Sequence, residues 1–239
     1  MKGLLLAGGH GTRFRPTTLK CNKHMIPVAG KPLILYGLES LVDAGIRKIG
    51  VVLGPIWREV KQLLGDGSRF DVEISYIMQP EPKGLAHALD ISRDFLGTDP
   101  FVMYLGDNLL QDGLTPMISL FERSNVDCVI GLSKVDDPFR YGVAILDSNM
   151  NLLRLVEKPT LPVSSWALIG IYIFDDRIFE AIKKISPSQR GELEITDAIQ
   201  VLLDQGQVKV YFVRGWWKDV GSPSDLTVAE KLLAEETSE

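Results

Sequence analysis

Short apolar runs rich in β-branched residues alternate with longer stretches of helical periodicity through the first half of the chain. The apolar runs cover residues 3–7, 49–53, 72–78, 101–105 and 126–132. Runs of this length bounded by turn residues are typical of strands that are buried on both faces. Strands that alternate with helices predict repeated strand-helix-strand units, and therefore a mostly parallel sheet.

Three segments between these runs carry apolar residues at helical spacing, which predicts helices over 32–44, 55–64 and 84–95. Each segment is followed within two residues by a glycine, the residue most favoured just past a helix because it adopts left-handed backbone angles without strain. The predicted fold class is therefore α/β, with a Rossmann-like, mostly parallel mixed sheet flanked by helices.

The pattern changes after residue 133, where strand-like stretches are separated by turn residues rather than by helices. Strands predicted over 141–146, 152–156 and 166–174 would form an antiparallel insertion on the sheet. Further on, we predict helices over 175–184, 192–204 and 222–235 and a strand over 208–213, with Ser222 as the candidate N-cap of the closing helix.

No internal repeat, low-complexity linker or long charge run divides the chain. We therefore predict one domain over 1–239, with a first part over 1–132, a second over 133–221 and the closing helix over 222–239.

Charge and cysteine content exclude several classes of protein. The formal net charge is -5 and the isoelectric point is near 5.3, which argues against a nucleic-acid-binding surface. Cys21 and Cys128 are the only cysteines, too few for a disulfide framework or a four-cysteine zinc site. No segment approaches the roughly 20 apolar residues of a membrane span, and the first apolar segment is too short for a signal peptide. We expect a cytoplasmic protein with no membrane or nucleic-acid partner.

A glycine-rich loop directly follows the first predicted strand and reads Gly8-Gly9-His10-Gly11-Thr12-Arg13. Glycines allow successive backbone amides to approach phosphate oxygens closely, and the alternative is a tight turn without a ligand. The cations near this loop are Arg13, Arg15, Lys20 and Lys23. The loop lacks the Gly-Lys-Ser/Thr ending of a Walker loop and the third glycine of a dinucleotide-binding fingerprint, so neither class is indicated.

Two carboxylates far apart in the sequence suggest a metal site. Asp107 follows the strand predicted over 101–105, and Asp219 follows Trp216-Trp217-Lys218. Ligands in such a sheet bind beyond the carboxyl ends of its parallel strands, where both Gly8 and Asp107 are expected. A carboxylate pair facing a phosphate cradle is typical of Mg²⁺ sites, whereas Asp107 taken alone is equally typical of a turn at a strand end.

The chain resembles the sugar-1-phosphate nucleotidylyltransferases, and among them the short glucose-1-phosphate thymidylyltransferases. The resemblance begins with the glycine-rich loop and continues through motifs in the same order along almost the whole chain. These motifs are Pro16-Thr17, Asn22-Lys23-His24-Met25-Ile26-Pro27-Val28, Lys31-Pro32, Gln79-Pro80-Glu81-Pro82-Lys83-Gly84-Leu85-Ala86, Leu105-Gly106-Asp107-Asn108, Tyr141-Gly142-Val143, Glu157-Lys158-Pro159, Gly170-Ile171-Tyr172, Arg190-Gly191-Glu192-Leu193-Glu194-Ile195-Thr196-Asp197 and Trp217-Lys218-Asp219-Val220-Gly221.

The resemblance implies a role for each matched residue. The residues implied in nucleotide binding are Gly8, Gly9, Gly11, Thr12, Arg13, Gln79, Gly84 and Asp107. Those implied in binding the sugar phosphate are Tyr141, Gly142, Glu157, Lys158, Gly170 and Arg190. Arg13, Lys23, Asp107 and Asp219 would carry catalysis, with Mg²⁺ held by Asp107 and Asp219.

The resemblance also implies individual contacts, which the chemistry of these side chains suits. Arg13 would grip the triphosphate and Lys23 the α-phosphate, while Gln79 would meet a pyrimidine edge. His87, one turn into the following helix, is expected to pack rather than to bind. For Arg15 and Lys20 we favour a solvated loop.

The implied reaction is attack by a sugar-1-phosphate oxygen on the α-phosphorus of dTTP, giving dTDP-glucose and pyrophosphate. One alternative is a transferase for UTP or another nucleotide, or for another hexose-1-phosphate, because Gln79 can pair with either pyrimidine. Another is a non-catalytic subunit that senses a nucleotide-sugar. The resemblance further implies a homo-oligomer of unspecified size and no C-terminal β-helix domain, and it leaves feedback control by a nucleotide-sugar in question.

Overall fold

The computed structural model describes residues 1–9, 14, 21–161 and 163–236. Its strands are β1 (Lys2–Ala7), β2 (Pro27–Val28), β3 (Lys31–Pro32), β4 (Lys48–Leu53), β5 (Glu73–Met78), β6 (Phe101–Leu105), β7 (Asn108–Leu110), β8 (Cys128–Lys134), β9 (Gly142–Leu146), β10 (Leu152–Glu157), β11 (Trp166–Phe174), β12 (Val208–Phe212) and β13 (Trp217–Asp219). Its helices are α1 (Leu33–Asp43), α2 (Arg58–Leu64), α3 (Leu85–Asp90), α4 (Arg93–Leu96), α5 (Thr115–Arg123), α6 (Ile178–Ile182), α7 (Ile195–Leu203) and α8 (Pro223–Glu236).

Nine strands of the described chain form one mixed sheet. In its first half, β5, β4, β1 and β6 lie side by side and all pair in parallel. Their carboxyl ends therefore meet at one edge of the sheet. In its second half, β11 pairs antiparallel with β6, β8 and β9, and β9 pairs antiparallel with β10. The predicted α/β class, the mostly parallel first half and the antiparallel insertion are all confirmed.

A crevice opens where β11 changes neighbours. Its end, 171–174, pairs with β6, whereas its start, Trp166 and Ala167, pairs with β9. Because β8 pairs with both of these parts of β11, β6 and β9 must lie along its other edge. Gly170 lies between the two pairings with φ of 72°, and a Cβ there would come within 2.8 Å of Leu105 Cδ1. Only glycine fits this bend without strain, and the bend separates β9 from β6.

The parallel strands are buried on both faces, as their continuous apolar runs predicted. Alternate residues of β1 point to opposite faces, so that Leu4 and Leu6 belong to one core cluster and Leu5 to another. A third, smaller cluster joins α8 to the rest of the molecule. Its buried members are Phe14, Val28, Leu33, Leu109, Val220 and Ala229.

Two parts of the secondary structure differ from the prediction. The single helix predicted over 84–95 is divided into α3 and α4 at Ser92, whose buried hydroxyl donates a 2.7 Å hydrogen bond to the Ala88 carbonyl. A serine bonded back to the preceding turn in this way bends a helix. Helix α5 and the short strands β2, β3, β7 and β13 were not predicted, the strands because they are too short to show a periodicity.

The sheet crosses the predicted division at residue 132, since β8 extends from Cys128 to Lys134. The assignment of separate parts to 1–132 and 133–221 thus stays a prediction. No helix in the described ranges is long and apolar enough to cross a membrane.

Candidate active site

A cleft of about 380 Å³ lies at the edge where the parallel strands end. Its lining includes five of the predicted nucleotide-binding residues together with Lys23, which was predicted to be catalytic. These are Gly8, Gly9, Lys23, Gln79, Gly84 and Asp107. The rest of the predicted phosphate loop, Gly11, Thr12 and Arg13, lies outside the described residues, as do His10, Arg15 and Lys20.

Lys23 reaches the cleft from a 3₁₀ turn, Lys23–Met25, that Asn22 holds in place. The Asn22 amide donates to the carbonyl oxygens of Ala7 (3.3 Å) and Ile56 (2.7 Å). Its side-chain oxygen accepts from the backbone N–H of His24 at 2.9 Å. The turn is thereby tied to the end of β1, and the nearly buried Lys23 ammonium forms an ion pair with Asp107.

His24 is a further buried polar residue of this cleft that the sequence reasoning did not single out. Burial lowers the pKa of its imidazole to about 4, so the ring is neutral near pH 7. Its Nδ1 lies 2.8 Å from the Asn22 side-chain oxygen, which can only accept, so Nδ1 carries the proton. The signal that could have identified this pair is Asn22, a typical cap residue directly before a short turn.

Asp107 and Asp219 are brought together by two short strands. In the antiparallel pair β7·β13, Asp219 is the register partner of Asn108, and the Val220 N–H donates to the Asp107 carbonyl at 2.8 Å. The Trp217 indole N–H also donates to the Asn108 side chain at 2.7 Å. The two predicted metal ligands therefore lie on neighbouring chains, although they are far apart in the sequence.

The negative charge of Asp107 affects the ionisation of Asp219. Burial, followed by the negative charge of Asp107, raises the pKa of Asp219 to about 6. Burial also acts to raise the pKa of Asp107, but the Lys23 ammonium reverses this, so its net pKa lies below the ordinary value. Two mostly buried acids, one of which raises the pKa of the other, form a site suited to a hard divalent cation. Among the described residues, no group of three His, Cys, Asp or Glu side chains could hold a metal ion.

A second ionic cluster supports Asp219 from the first turn of α8. The buried carboxylate of Asp225 accepts from Arg140 (2.9 Å), Lys218 (2.5 Å) and Ser222 (2.6 Å). Arg140 also reaches Asp219 at 3.5 Å. These contacts pull the pKa of Asp225 well below its usual range, although burial alone would raise it. Neither Arg140 nor Asp225 was predicted from the sequence.

A second cavity, of about 150 Å³, lies in the crevice between β6 and β9. Its lining includes five of the six predicted sugar-phosphate residues, which are Tyr141, Gly142, Glu157, Lys158 and Gly170. Asp107 and Asp219 line it as well. Because Asp107 lines both cavities, this member of the predicted metal pair lies where the two cavities meet.

Glu157 is the most constrained acid on the sugar side. Burial raises its pKa, while Thr196 donates a 2.5 Å hydrogen bond to Oε2. The Lys158 ammonium lies 3.8 Å from Oε1. Lys158 itself has φ of 36°, a backbone conformation that L-residues rarely adopt. Strain of this kind persists only where surrounding contacts hold it, here the hydrogen bond from the Lys158 N–H to the Tyr141 carbonyl at 3.0 Å.

Arg190, the sixth predicted sugar-side residue, is already heavily paired. Its guanidinium contacts Glu194 at 2.8 Å, Glu157 at 3.2 Å and Glu192 at 3.5 Å. Glu194 is almost fully buried, so this pair anchors the start of α7. A phosphate group would have to share Arg190 with three carboxylates.

Gly84 has a structural reason for being glycine besides the one predicted from nucleotide binding. It precedes α3 with φ of 100°, and a Cβ there would lie 2.7 Å from the backbone nitrogen of Leu193. The close approach of the two chains therefore excludes any larger residue.

That His87 packs rather than binds a ligand stays a prediction. His87 Nδ1 lies 3.0 Å from the side-chain nitrogen of Gln79, so the ring contacts a residue that lines the cleft. The sequence contained a signal for this contact, because residue 87 falls within the first turn of the helix that follows Gln79.

Comparison with known proteins supports the same reading of the chain. A family model described as nucleotidyl transferase matches residues 2–236. The chain is 48% identical over 240 residues to the low-salt glycan biosynthesis nucleotidyltransferase Agl11 of Haloferax volcanii, covering 100% of this chain and 67% of that one. It is 46% identical over 238 residues to a glucose-1-phosphate thymidylyltransferase of Streptomyces griseus, covering 99% of this chain and 67% of that one.

A solved structure from Bacillus anthracis, provisionally assigned as a glucose-1-phosphate thymidylyltransferase and bound to sucrose, superposes with a TM-score of 0.92 at 38% identity. The superposition covers 97% of this chain and 94% of that one. The resemblance to sugar-1-phosphate nucleotidylyltransferases noted from the motifs is confirmed. By sequence and by fold, the chain belongs to the nucleotidyl transferase family.

Proposed function

We propose that the chain transfers a thymidylyl group from dTTP to glucose-1-phosphate, releasing pyrophosphate. One observation carries the proposal: Asp107 lines both the cleft at the strand ends and the cavity beside Gly170. Two phosphorylated substrates that occupy these spaces would meet at the Asp107 and Asp219 carboxylates. The choice of thymidine and glucose rests on the names of the relatives, among them the one from Streptomyces griseus at 46% identity.

The main obstacle to this reaction is charge repulsion. Two like unit charges about 4 Å apart repel by about 4 kcal/mol at an effective dielectric constant of about 20, and several such pairs arise when two phosphates approach. A Mg²⁺ ion held by Asp107 and Asp219 would supply the positive charge that offsets this repulsion. The fit rests on the two mostly buried carboxylates and on the raised pKa of Asp219, to which the charge of Asp107 contributes.

The protein's own residues would align the reacting groups. Lys23, fixed at the cleft by the Asn22 turn, would place its charge at the α-phosphate, while Lys158 would do so at the sugar phosphate. The sugar-phosphate oxygen forms the new bond to the α-phosphorus, and the bond from that phosphorus to the pyrophosphate oxygen breaks. The attacking oxygen is already anionic, so neither a protein nucleophile nor a general base is needed.

A UTP-dependent enzyme is the second candidate, because the contact that Gln79 offers to a base fits uracil as well as thymine. The side-chain nitrogen of Gln79 is bonded to Gly84 and His87, which leaves its oxygen as the group open to a base. An acceptor oxygen takes the ring N–H of thymine and of uracil equally well, so this contact does not separate the two nucleotides.

The decisive experiment crosses a panel of nucleoside triphosphates with a panel of sugar-1-phosphates and measures released pyrophosphate. We expect dTTP with glucose-1-phosphate to give the highest kcat/KM. A clear preference for UTP or another hexose would replace the proposed substrates and keep the reaction. No release with any pair, together with tight binding of a nucleotide-sugar, would establish the non-catalytic sensor instead.

The cytoplasmic location and the homo-oligomer stay predictions from the sequence and the resemblance. Sedimentation of the purified chain would give its subunit number.

A further inference from the structure

Gln79 is placed so that its side chain has little freedom. It directly follows β5, its backbone N–H donates to the Leu53 carbonyl at 2.8 Å, and only 7% of the residue is exposed. The side chain forms part of the wall of the nucleotide cleft, between Gly8 and Gly84.

Both hydrogens of the Gln79 carboxamide have acceptors within the protein. Its nitrogen lies 3.2 Å from the Gly84 carbonyl oxygen and 3.0 Å from His87 Nδ1. A backbone carbonyl can only accept, so the group facing Gly84 must be the NH₂ group. The second hydrogen then points to Nδ1 of His87, which can accept it only when that nitrogen carries no proton.

The carboxamide oxygen is left facing the cleft. A Cβ built on Gly8 would lie 3.0 Å from Oε1, so this oxygen sits beside the phosphate-loop backbone. None of the described residues donates a hydrogen bond to Oε1.

We propose that His87 is a positioning residue for base selection: it holds the Gln79 amide with its oxygen towards the cleft. The inference rests on the proposed function, because it takes the nucleotide base to lie against Gln79. An oxygen at that point accepts from the ring N–H of thymine or uracil. Cytosine carries an unprotonated ring nitrogen at the same position, so two acceptors would face each other.

His87 strengthens this discrimination because it occupies the second amide hydrogen. Without His87, the Gln79 amide would keep only one of its two hydrogen-bond acceptors, the Gly84 carbonyl. The amide could then rotate more easily and turn its NH₂ group towards a cytosine. A site with a fixed hydrogen-bonding group discriminates by leaving the wrong ligand's polar atoms unpaired.

The test compares His87→Leu, which cannot accept a hydrogen bond, with His87→Gln, whose amide oxygen can. The wild type and both variants are assayed with dTTP and with dCTP. We expect the ratio of kcat/KM for dTTP over dCTP to fall about tenfold in His87→Leu and to recover in His87→Gln. The KM for the sugar phosphate should stay unchanged in both variants.

A residue that only packs would lower turnover with both nucleotides together and leave their ratio unchanged. That outcome, or an equal loss of discrimination in His87→Gln, would overturn the inference. Calorimetric binding of the same two nucleotides runs in parallel. If the wild type released no pyrophosphate from any pair, the proposed function would fail, and the binding ratio would still decide the role of His87.

A third measurement, ¹⁵N nuclear magnetic resonance, shows directly which nitrogen of the His87 ring carries the proton. The chain has three histidines, so the ¹⁵N resonances of His87 can be assigned by their loss in His87→Gln. We expect Nδ1 to carry no proton, because the Gln79 amide donates to it. A proton on Nδ1 in the nucleotide-free protein would contradict the proposed geometry, whatever the kinetics show.

Discussion

The cleft at the ends of the parallel strands and the cavity beside Gly170 are built in different ways. The described cleft residues lie mainly just beyond parallel strands, as Gly8 does after β1, Gln79 after β5 and Asp107 after β6. The cavity residues come from antiparallel strands and the segments between them, such as Gly170 within β11 and Lys158 after β10. A general rule of parallel sheets brings the first set together, whereas the second set depends on one bend in one strand.

The two regions also differ in the number of carboxylates that their lysine and arginine side chains contact. Lys23 pairs with a single carboxylate, Asp107, in the cleft. Arg190 is surrounded by three carboxylates, and Lys158 lies 3.8 Å from Glu157. A phosphate that binds at the predicted sugar side would therefore have to compete with these carboxylates. Of the two cations there, Lys158 contacts fewer carboxylates than Arg190.

The largest effect should come from Asp107, which belongs to both regions. Asp107→Asn should reduce the rate of pyrophosphate release by about 1,000-fold or more with the fold intact, because a neutral amide is a poor ligand for Mg²⁺. The rate is followed at saturating substrates, and circular dichroism checks the fold. Asp99→Asn, a change at an exposed carboxylate beside Lys2, serves as the control and should leave the rate unchanged. Near-normal turnover of Asp107→Asn would remove the metal assignment.

Lys158→Ala should act on one region alone. We expect the KM for glucose-1-phosphate to rise about 30-fold and the KM for the nucleotide to change little, because a charge-assisted hydrogen bond to phosphate is lost. Steady-state kinetics with each substrate varied in turn measures the split. Lys183→Ala, which removes an exposed lysine paired with Glu180, is the matched control. A change confined to the nucleotide KM would move Lys158 out of the sugar side.

The pH dependence of the metal requirement should follow Asp219. Its pKa near 6 means that protons compete with Mg²⁺ for this carboxylate below that pH. The Mg²⁺ concentration for half-maximal activity should therefore rise by about tenfold per unit as the pH falls below about 6. Titrations of Mg²⁺ at several pH values measure this.

The raised pKa of Asp219 also affects the folding stability of the metal-free protein, which should fall as the pH rises. The pKa of Asp219 is higher in the folded than in the unfolded chain, so its contribution to folding stability is present at low pH and is lost as pH rises through about 6.

For the metal prediction, a half-maximal Mg²⁺ concentration that stayed constant across this pH range would argue against Asp219 as a ligand.

The smallest expected effect is a difference in the free energy of unfolding between variants of the two predicted sugar-side cations, Arg190 and Lys158. Arg190→Ala leaves the buried Glu194 without its guanidinium partner and should lower the free energy of unfolding by about 1 kcal/mol. Lys158→Ala should change it by less, because Lys158 contacts Glu157 only at 3.8 Å. Urea unfolding of both variants measures the difference. An equal decrease in the free energy of unfolding in both variants would show that Lys158 and Arg190 contribute equally to stability.

Much of the cleft could be predicted from the chain, whereas little of its support could. Gly8 and Asp107 were expected at one edge because parallel strands end together, and the structure has them there. Lys23 was expected near phosphate, but nothing in the local pattern shows that Asn22 ties its turn to Ala7 and Ile56.

The sugar side was predicted through the resemblance rather than through physical rules. Five of its six residues line one cavity, and Arg190 instead lies against Glu194, Glu157 and Glu192. The contacts made by Arg140 and Asp225 were missed altogether, since they join residues from separate parts of the chain that share no periodicity.

The sequence by itself determined where the strands and most of the helices lie, because apolar periodicity and glycine stops are local properties of the chain. The meeting of Asp107 and Asp219 was decided only in the tertiary structure. It depends on the pairing of β7 with β13, where Trp217 bonds to Asn108 across 109 positions of sequence. Strands of three residues have no periodicity of their own, so only the folded sheet beside them selects which pairing forms.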